Sequence, residues 1–497
     1  MYRPRLYLCF LFLFLSVSIA GAELVAPPYL QILKPDSVDL YWVETSPNPR
    51  TVRWLSRHTR STSKRAPQLG FHPQEVSEFP ELAAEPERYL HHARLSGLMH
   101  LKSEVPYSVY FENGTFEGRV RPLPGPRDAV KLIAFADSET EPESTGTPVK
   151  WAGVGREDRP YLTDQTEGLR GNLQAVRAAR PDALLIAGDL VESGGEQRDW
   201  DEFWKQFKMI AGDIPILPAP GNHEYFAGPK HGRYSDEGSQ WAIAKYRTYF
   251  NPNGSTSPEH YYRKDVGIVS VLSIDCVDGL PHQSNRDSNH YLNAAGRWAP
   301  DFHQGSPQWA WLENQLRDCR NAGRFVIVLF HHCPYSSGVH GQVAGTGSGE
   351  DPLSSTPARE LTQLFLKYGV SVTLCGHDEM FERSEVHGFE ELPSGKKRPH
   401  TLHVYDIGVA GDGLRGPVRE NEHSKFLAYR DSPEVWKGEE LISGGLHYGH
   451  LELRVIPTPR GWRAELTPVY LLPRRSGSKW EFRRLIYPDR LVLERNT

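Results

Sequence analysis

The residues able to do chemistry collect at the ends of short apolar runs. Ile214-Pro215-Ile216-Leu217 leads into Pro220-Gly221-Asn222-His223-Glu224. A carboxamide oxygen, an imidazole and a carboxylate thus share one tight turn and can face one cleft. Four further segments repeat the arrangement. Leu132-Ile133-Ala134-Phe135-Ala136 runs into Asp137-Ser138-Glu139, and Ala183-Leu184-Leu185-Ile186-Ala187 into Gly188-Asp189. Phe325-Val326-Ile327-Val328-Leu329-Phe330 runs into His331-His332, and Val372-Thr373-Leu374-Cys375 into Gly376-His377-Asp378-Glu379. This is a high density of ligand chemistry, and five strand ends are expected to converge on one site.

The elements that must position these tips follow from periodicity. Leu169, Leu173, Val176 and Ala179 recur at helical spacing, which predicts a crossover helix over Asp164 to Ala179 between two of the strands. Helices are also expected over Trp200 to Ile210 and Gln308 to Cys319, each before a strand that ends in a polar tip. Strands with intervening helices imply a layered α/β domain. Ahead of it, residues 23–127 read as all-β: Val38-Asp39-Leu40-Tyr41-Trp42 and Thr51-Val52-Arg53-Trp54-Leu55 alternate, and no helix-length apolar periodicity is seen. Arg121-Pro122-Leu123-Pro124-Gly125-Pro126 is the expected linker. Thr140 to Tyr161 reads as an inserted surface loop, and alternation in Trp462 to Tyr470 and near Arg490 to Leu493 predicts a tail that completes a sheet.

The ordered tips resemble the calcineurin-like metallophosphoesterases, in the purple-acid-phosphatase-like branch. The pattern is an Asp after the first strand, G-D, G-N-H-[DE], a His before x-Pro, and G-H-x-H. It corresponds to Asp137, Gly188-Asp189, Gly221-Asn222-His223-Glu224, His332-Cys333-Pro334 and Gly376-His377-Asp378-Glu379. The run continues as Met380-Phe381-Glu382-Arg383, similar to the branch's G-H-x-H-x-Y-E-R. The resemblance implies two packed mixed sheets flanked by helices over residues 128–497. Within 23–127, His92-Ala93-Arg94-Leu95-Ser96-Gly97-Leu98 followed by Val105 to Phe111 resembles the end of a fibronectin type III-like sandwich.

What the resemblance implies for chemistry is a pair of cations about 3.5–4 Å apart that bind a phosphate ester and supply a hydroxide nucleophile. Asp189 matches the bridging ligand, and Asn222, His332 and His377 complete the second-metal half. The first-metal half departs from the pattern. Glu192 stands where purple members have a Tyr ligand, and Glu379 replaces the last His. Asp137, Asp189, Glu192 and Glu379, with Glu139 nearby, would make an oxygen-only site. Such a site favours Mn, Mg, Ca or ferric iron over Zn, and without a tyrosinate no purple band is expected. Two ions per chain, from Fe, Mn, Zn or Mg, are expected. His223 is the candidate for protonating the leaving oxygen, with Glu224 placed to hold that imidazole. Asn222, His331, Tyr335 and His340 are candidates for contacting substrate. The implied activity is hydrolysis of phosphomonoesters. The alternatives are a phosphodiesterase of the same fold and a non-catalytic metal-, phosphate- or glycan-binding envelope protein.

Composition and address agree with such a role. Residues Met1 to Ala22 have a positive end at Arg3 and Arg5, an apolar run from Leu6 to Ile19 too short to span a bilayer, and a small-residue end at Ala20-Gly21-Ala22. They read as a secretory signal, so the expectation is a secreted or cell-envelope protein with no membrane span after cleavage. The net charge of −5 becomes more negative when Arg3 and Arg5 leave, which argues against general nucleic-acid binding. Cys276, Cys319, Cys333 and Cys375 are too few for a disulfide scaffold and lack paired zinc spacing. Oligomeric state is not encoded in any recognisable pattern.

Overall fold

The computed structural model describes residues 22–34, 36–99, 101–143, 165–250, 260–411, 425–430, 435–437, 440–443, 447–477 and 479–496. The expected signal segment, apart from Ala22, and most of the expected loop over Thr140 to Tyr161 lie outside these residues.

The N-terminal part is all-β, as its alternation predicts. One four-stranded sheet is ordered Leu24–Lys34, Ser37–Glu44, Tyr89–Ser96, Thr62–Arg65. The other is ordered Arg57–Arg60, Thr51–Trp54, Val105–Phe111, Gly114–Val120. Inward residues of both sheets, among them Leu40, Trp42, Val52, Leu95 and Val109, form one core. One expectation fails here. The segment between the strands carries two 3-10 turns and a six-residue helix, Pro73–Glu78, whose start is fixed by a His72 cap and Glu75 box. Fewer than two turns leave no apolar period to read.

From Val130 the chain builds two seven-stranded sheets packed face to face. The path through the first is Ile216–Ala219, Ala183–Ala187, Val130–Phe135, Tyr448–Thr458, Gly461–Ser476, Lys479–Ile486, with Leu491–Asn496 also on Gly461–Ser476. The second runs Tyr262–Val266, Val269–Ser273, Phe325–His332, Val372–Gly376, Lys397–Ile407, Phe381–Glu391, Leu427–Arg430. The tail therefore completes a sheet, as expected. The central strands are buried on both faces and read as unbroken apolar runs. Leu132, Ala134, Leu185 and Leu217 point into the core between the sheets, while Ile133, Phe135, Leu184 and Ile216 pack under helices.

The helices Gln165–Ala179 and Gln197–Phe207 are the crossovers that make Val130–Phe135, Ala183–Ala187 and Ile216–Ala219 parallel. Pro307–Asn321 and Leu361–Tyr368 precede Phe325–His332 and Val372–Gly376, which are also parallel to each other. Parallel pairing puts the carboxyl ends of all five strands at one edge. The three expected helices are present within a few residues of their expected ends, whereas Asp236–Tyr249 and Leu361–Tyr368 were not anticipated.

The N-terminal part props the helix that leaves the Asp189 loop. Helix Gln197–Phe207 has no cap from its own Glu196 side chain. Fully buried Glu75 instead accepts from Gln197 N at 2.9 Å, Arg198 N at 3.3 Å and His72 N at 2.7 Å. An anionic acceptor at a helix N-terminus satisfies orphan N–H groups and opposes the helix dipole. Replacing it leaves buried donors unpaired. Glu75→Ala is expected to lower unfolding stability by about 2–4 kcal/mol. Urea titration checks this, and a shift within error of zero would show that the cap carries no energy.

Candidate metal centre

Each expected tip lands at the common edge through a turn that only certain residues permit. Asp137, Asp189, His377 and Glu379 have φ of 56°, 51°, 83° and 39°, in the left-handed region. Non-glycine residues held there cost about 1–3 kcal/mol each, a strain typical of functional turns. Glycines make room beside them. A Cβ on Gly221 would collide with the Asp189 carboxylate, and one on Gly376 or Gly408 with that of Asp137.

Buried Glu224 ties two of the turns together. Its carboxylate accepts from Gly221 N at 2.6 Å, Leu190 N at 2.9 Å and Asp189 N at 3.1 Å. It therefore holds backbone, not the His223 imidazole as the sequence suggested. Burial and the nearby Asp189 charge push its pKa up to about 7, against the Gly221 and Leu190 N–H groups and the His331 charge, which lower it.

Two donor groups result, and they share Asp189. In the first, His331 Nε2 lies 2.8 Å from Asp189 Oδ2, 3.1 Å from Asn222 Oδ1 and 3.1 Å from His377 Nδ1. The opposite ring nitrogens face carbonyls: His331 Nδ1 is 2.9 Å from Ala187 O, and His377 Nε2 is 2.7 Å from Leu353 O. A carbonyl only accepts, so it fixes the proton on those nitrogens. The neutral rings then present lone pairs at His331 Nε2 and His377 Nδ1, beside the oxygens of Asp189 and Asn222. Four acceptors facing one another call for a cation, and a backbone carbonyl behind the imidazole is the usual support of a metal-ligating His. The protein itself answers the same demand with a proton: burial lowers the His331 pKa, but the Asp189 and Asp137 charges outweigh it and raise it to about 9. For Asp189, burial raises the pKa, yet His331 and His223 hold it well below the carboxylate range.

The second group is Glu139, Asp189 and His223, whose donor atoms lie within 4.8 Å of one another. His223 N donates to Asp189 Oδ1 at 3.0 Å, and its Nδ1 lies 2.5 Å from Glu192 O. Its Nε2 is 3.9 Å from both Glu139 Oε1 and Asp189 Oδ2. A third donor group in the described residues, Asp278, His282 and Asp287, is on a separate loop.

The sequence-derived set is therefore brought together in part. Asp137, Asp189, Asn222 and His377 gather as expected, with Asp137 accepting from His377 N at 3.1 Å. The second-metal imidazole is the main difference. His331, not His332, meets Asp189, Asn222 and His377. The buried His332 ring lies tilted at 42° against His377, centroids 4.5 Å apart, with neither ring nitrogen hydrogen-bonded. Adjacent residues at a strand end face opposite sides, and a register irregularity between Leu329 and His332 re-aims them. Glu192 reaches the centre through its carbonyl, and neither Glu192 nor Glu379 belongs to the two donor groups. His340 stacks over His377 at 3.9 Å, with Nδ1 2.8 Å from Asp351 Oδ2. Tyr335 turns away, its hydroxyl on Thr362 at 3.0 Å. Asp351, which orients His340, and the Leu353 carbonyl carry no recognisable sequence signal.

The paired histidines give a direct test. His331→Ala is expected to remove about one equivalent of bound metal, whereas His332→Ala should keep the full complement. Elemental analysis of the folded variants decides, and the reverse pattern would restore His332 as the ligand.

The description "Calcineurin-like phosphoesterase" matches residues 162–379. An uncharacterised protein of Mycobacterium tuberculosis is 25% identical over 68% of this chain and 60% of its own length. In Arabidopsis thaliana, a protein named "Probable inactive purple acid phosphatase 24" is 23% identical over 56% of this chain and 39% of its own. "Fe(3+)-Zn(2+) purple acid phosphatase 12" is 25% identical over 50% of this chain and 49% of its own. The chain thus spans 60% or less of the length of these curated relatives. The solved structure of purple acid phosphatase PPD1 from yellow lupin seeds shares the fold, with a TM-score of 0.59 at 17% identity, covering 89% of this chain and 71% of that one. With its motifs in order at one sheet edge, the chain is similar over residues 162–379 to the calcineurin-like phosphoesterases, and the relatives it matches include proteins named purple acid phosphatases.

Proposed function

We propose that this chain is an exported, metal-dependent phosphoesterase that hydrolyses phosphomonoesters, with residues 1–22 a signal, 23–127 a fibronectin type III-like domain and 128–497 the catalytic domain. The observation that carries the reading is the pair of donor groups that share Asp189. The first group offers Asp189, Asn222, His331 and His377, and the first-metal half draws on Asp137, Asp189 and their neighbours. Cations bound there supply positive charge for the phosphoryl oxygens and acidify water at neutral pH. The strand order of the N-terminal sheets supports the domain assignment, and the absence of a membrane-length apolar helix among the described residues is compatible with export.

The chain's own groups set the proton chemistry. With Nδ1–H given to Glu192 O, His223 has Nε2 as its second proton site, turned toward the centre. Doubly protonated, it holds a proton at that atom for the leaving oxygen. The side chain is about one-fifth exposed, so it lies where a substrate can reach it. Asp351 on His340 Nδ1 likewise leaves Nε2 for a phosphoryl oxygen. A binding-only protein is the second reading. Glu379 favours it, because a carboxylate there replaces an imidazole of the family pattern.

Assay of the purified chain against phosphomonoesters and diesters, with Mn, Mg, Zn or Fe added, is expected to show metal-dependent release of phosphate from monoesters. Bound metal without turnover would support the binding-only reading, and faster diester cleavage would move the assignment to a diesterase. His223→Ala should keep its metals and lose roughly 10²–10⁴-fold in kcat on esters with poor leaving groups. The loss should shrink for a nitrophenyl ester. Equal loss on both would rule out the acid role.

A further inference from the structure

We propose that Phe226, Tyr234 and Tyr291 form the wall on which the leaving group of the substrate lies, and that the preferred substrates are phosphomonoesters whose leaving group carries an aromatic ring. This rests on the phosphomonoesterase reading above. The three rings make a continuous series that starts at the centre. The His223 and Phe226 rings stand edge to face with centroids 6.0 Å apart. Tyr234 follows Phe226 at 5.2 Å, and Tyr291 follows Tyr234 at 5.9 Å with the two planes 8° apart. The series is tied to the donor groups a second time, because Asn222 Nδ2 donates to the Tyr234 hydroxyl at 3.4 Å.

Phe226 and Tyr234 are half-buried, whereas Tyr291 is 50% exposed. A lone exposed aromatic is ordinary, but this one ends a run of ring contacts that begins at the candidate proton donor. One face of Phe226 carries the Arg233 guanidinium at 5.8 Å, so Tyr291 supplies most of the open ring surface. Its loop is firmly held. Fully buried Asp287 accepts from Gly279 N at 3.2 Å, Gln283 N at 2.7 Å and Asn289 N at 3.0 Å. Asn289 Oδ1 in turn accepts from Tyr291 N at 3.1 Å, and buried Leu292 anchors the next position. His290 N donates to Pro352 O at 2.8 Å, beside the Leu353 carbonyl that supports His377. A ring fixed in this way stacks on a ligand with little loss of freedom. The substrate class follows from where His223 stands. The oxygen it protonates carries the leaving group, and the rings next to the imidazole are the surface that group meets. A flat ring can meet them in the offset or edge-to-face arrangements that aromatic pairs prefer.

The test compares benzyl phosphate with cyclohexylmethyl phosphate, whose leaving oxygens are similarly basic but whose rings are flat in one and puckered in the other. The ratio of kcat/KM values is measured in the metal-loaded full chain for wild type, Tyr291→Ala, Tyr291→Phe and Phe226→Leu. The inert benzylphosphonate and cyclohexylmethylphosphonate are titrated into the same proteins by calorimetry, and circular dichroism checks folding. Wild type and Tyr291→Phe are expected to favour the benzyl compounds roughly 3–10-fold, and Tyr291→Ala and Phe226→Leu less than about twofold. Equal use of the two rings by wild type would overturn the proposal, as would a preference that survives in Tyr291→Ala. Hydrolysis of neither ester by wild type would overturn the phosphomonoesterase reading and the substrate class with it. The phosphonates then decide on the wall alone: a benzyl preference that falls in Tyr291→Ala would uphold it, and an unchanged ratio would overturn it.

Discussion

Asp189 is common to two candidate donor groups, and much of the architecture serves to let one carboxylate face both. It stands at the end of Ala183–Ala187 in one sheet, flanked by the Asp137 and Asn222 turns of its neighbours. Across the interface the second sheet delivers His331 and His377 from its own parallel strands. Two sheets packed face to face bring such ends together only when their parallel strands point the same way. The crossover helices secure this within each sheet, and the apolar core between the sheets fixes the distance. The shared carboxylate is thus a statement about packing as much as about ligands.

The local price is strain and crowding. Four residues of the turns occupy left-handed backbone, and the neighbouring glycines exist because a methyl group would displace a carboxylate. Glu224 offsets part of this by accepting three backbone N–H groups from two loops. On the far side of that loop, Glu75 caps the helix that follows it, so the N-terminal sheets and the centre are mechanically connected. Arg88 adds a bidentate pair with Asp201 on the same helix, at 2.6 and 2.8 Å. A centre whose donors repel one another before a cation arrives needs such support.

Much of this was legible in the sequence, for physical reasons. Strands buried on both faces are unbroken apolar runs, and their polar tips are conspicuous against them, so Asp137, Asp189, Asn222 and His377 could be placed before any coordinates. The choice between His331 and His332 could not. Both satisfy the composition of the tip, and only the register at the end of Phe325–His332 decides which ring faces Asp189. Glu139 is similar: spacing places it two residues beyond Asp137, but whether its carboxylate comes near Asp189 depends on a turn held by three backbone hydrogen bonds between loops. The helix Pro73–Glu78 was missed because it is too short for periodicity, and Glu224 was assigned to its sequence neighbour because the backbone donors it accepts leave no mark on side-chain pattern.

The most direct measurement is anomalous diffraction from crystals of the full chain grown with Mn. The account predicts two peaks on either side of Asp189, about 3.5–4 Å apart, one contacted by His331 and His377 and the other on the Asp137 side. A single peak, or a pair that does not share Asp189, would contradict it.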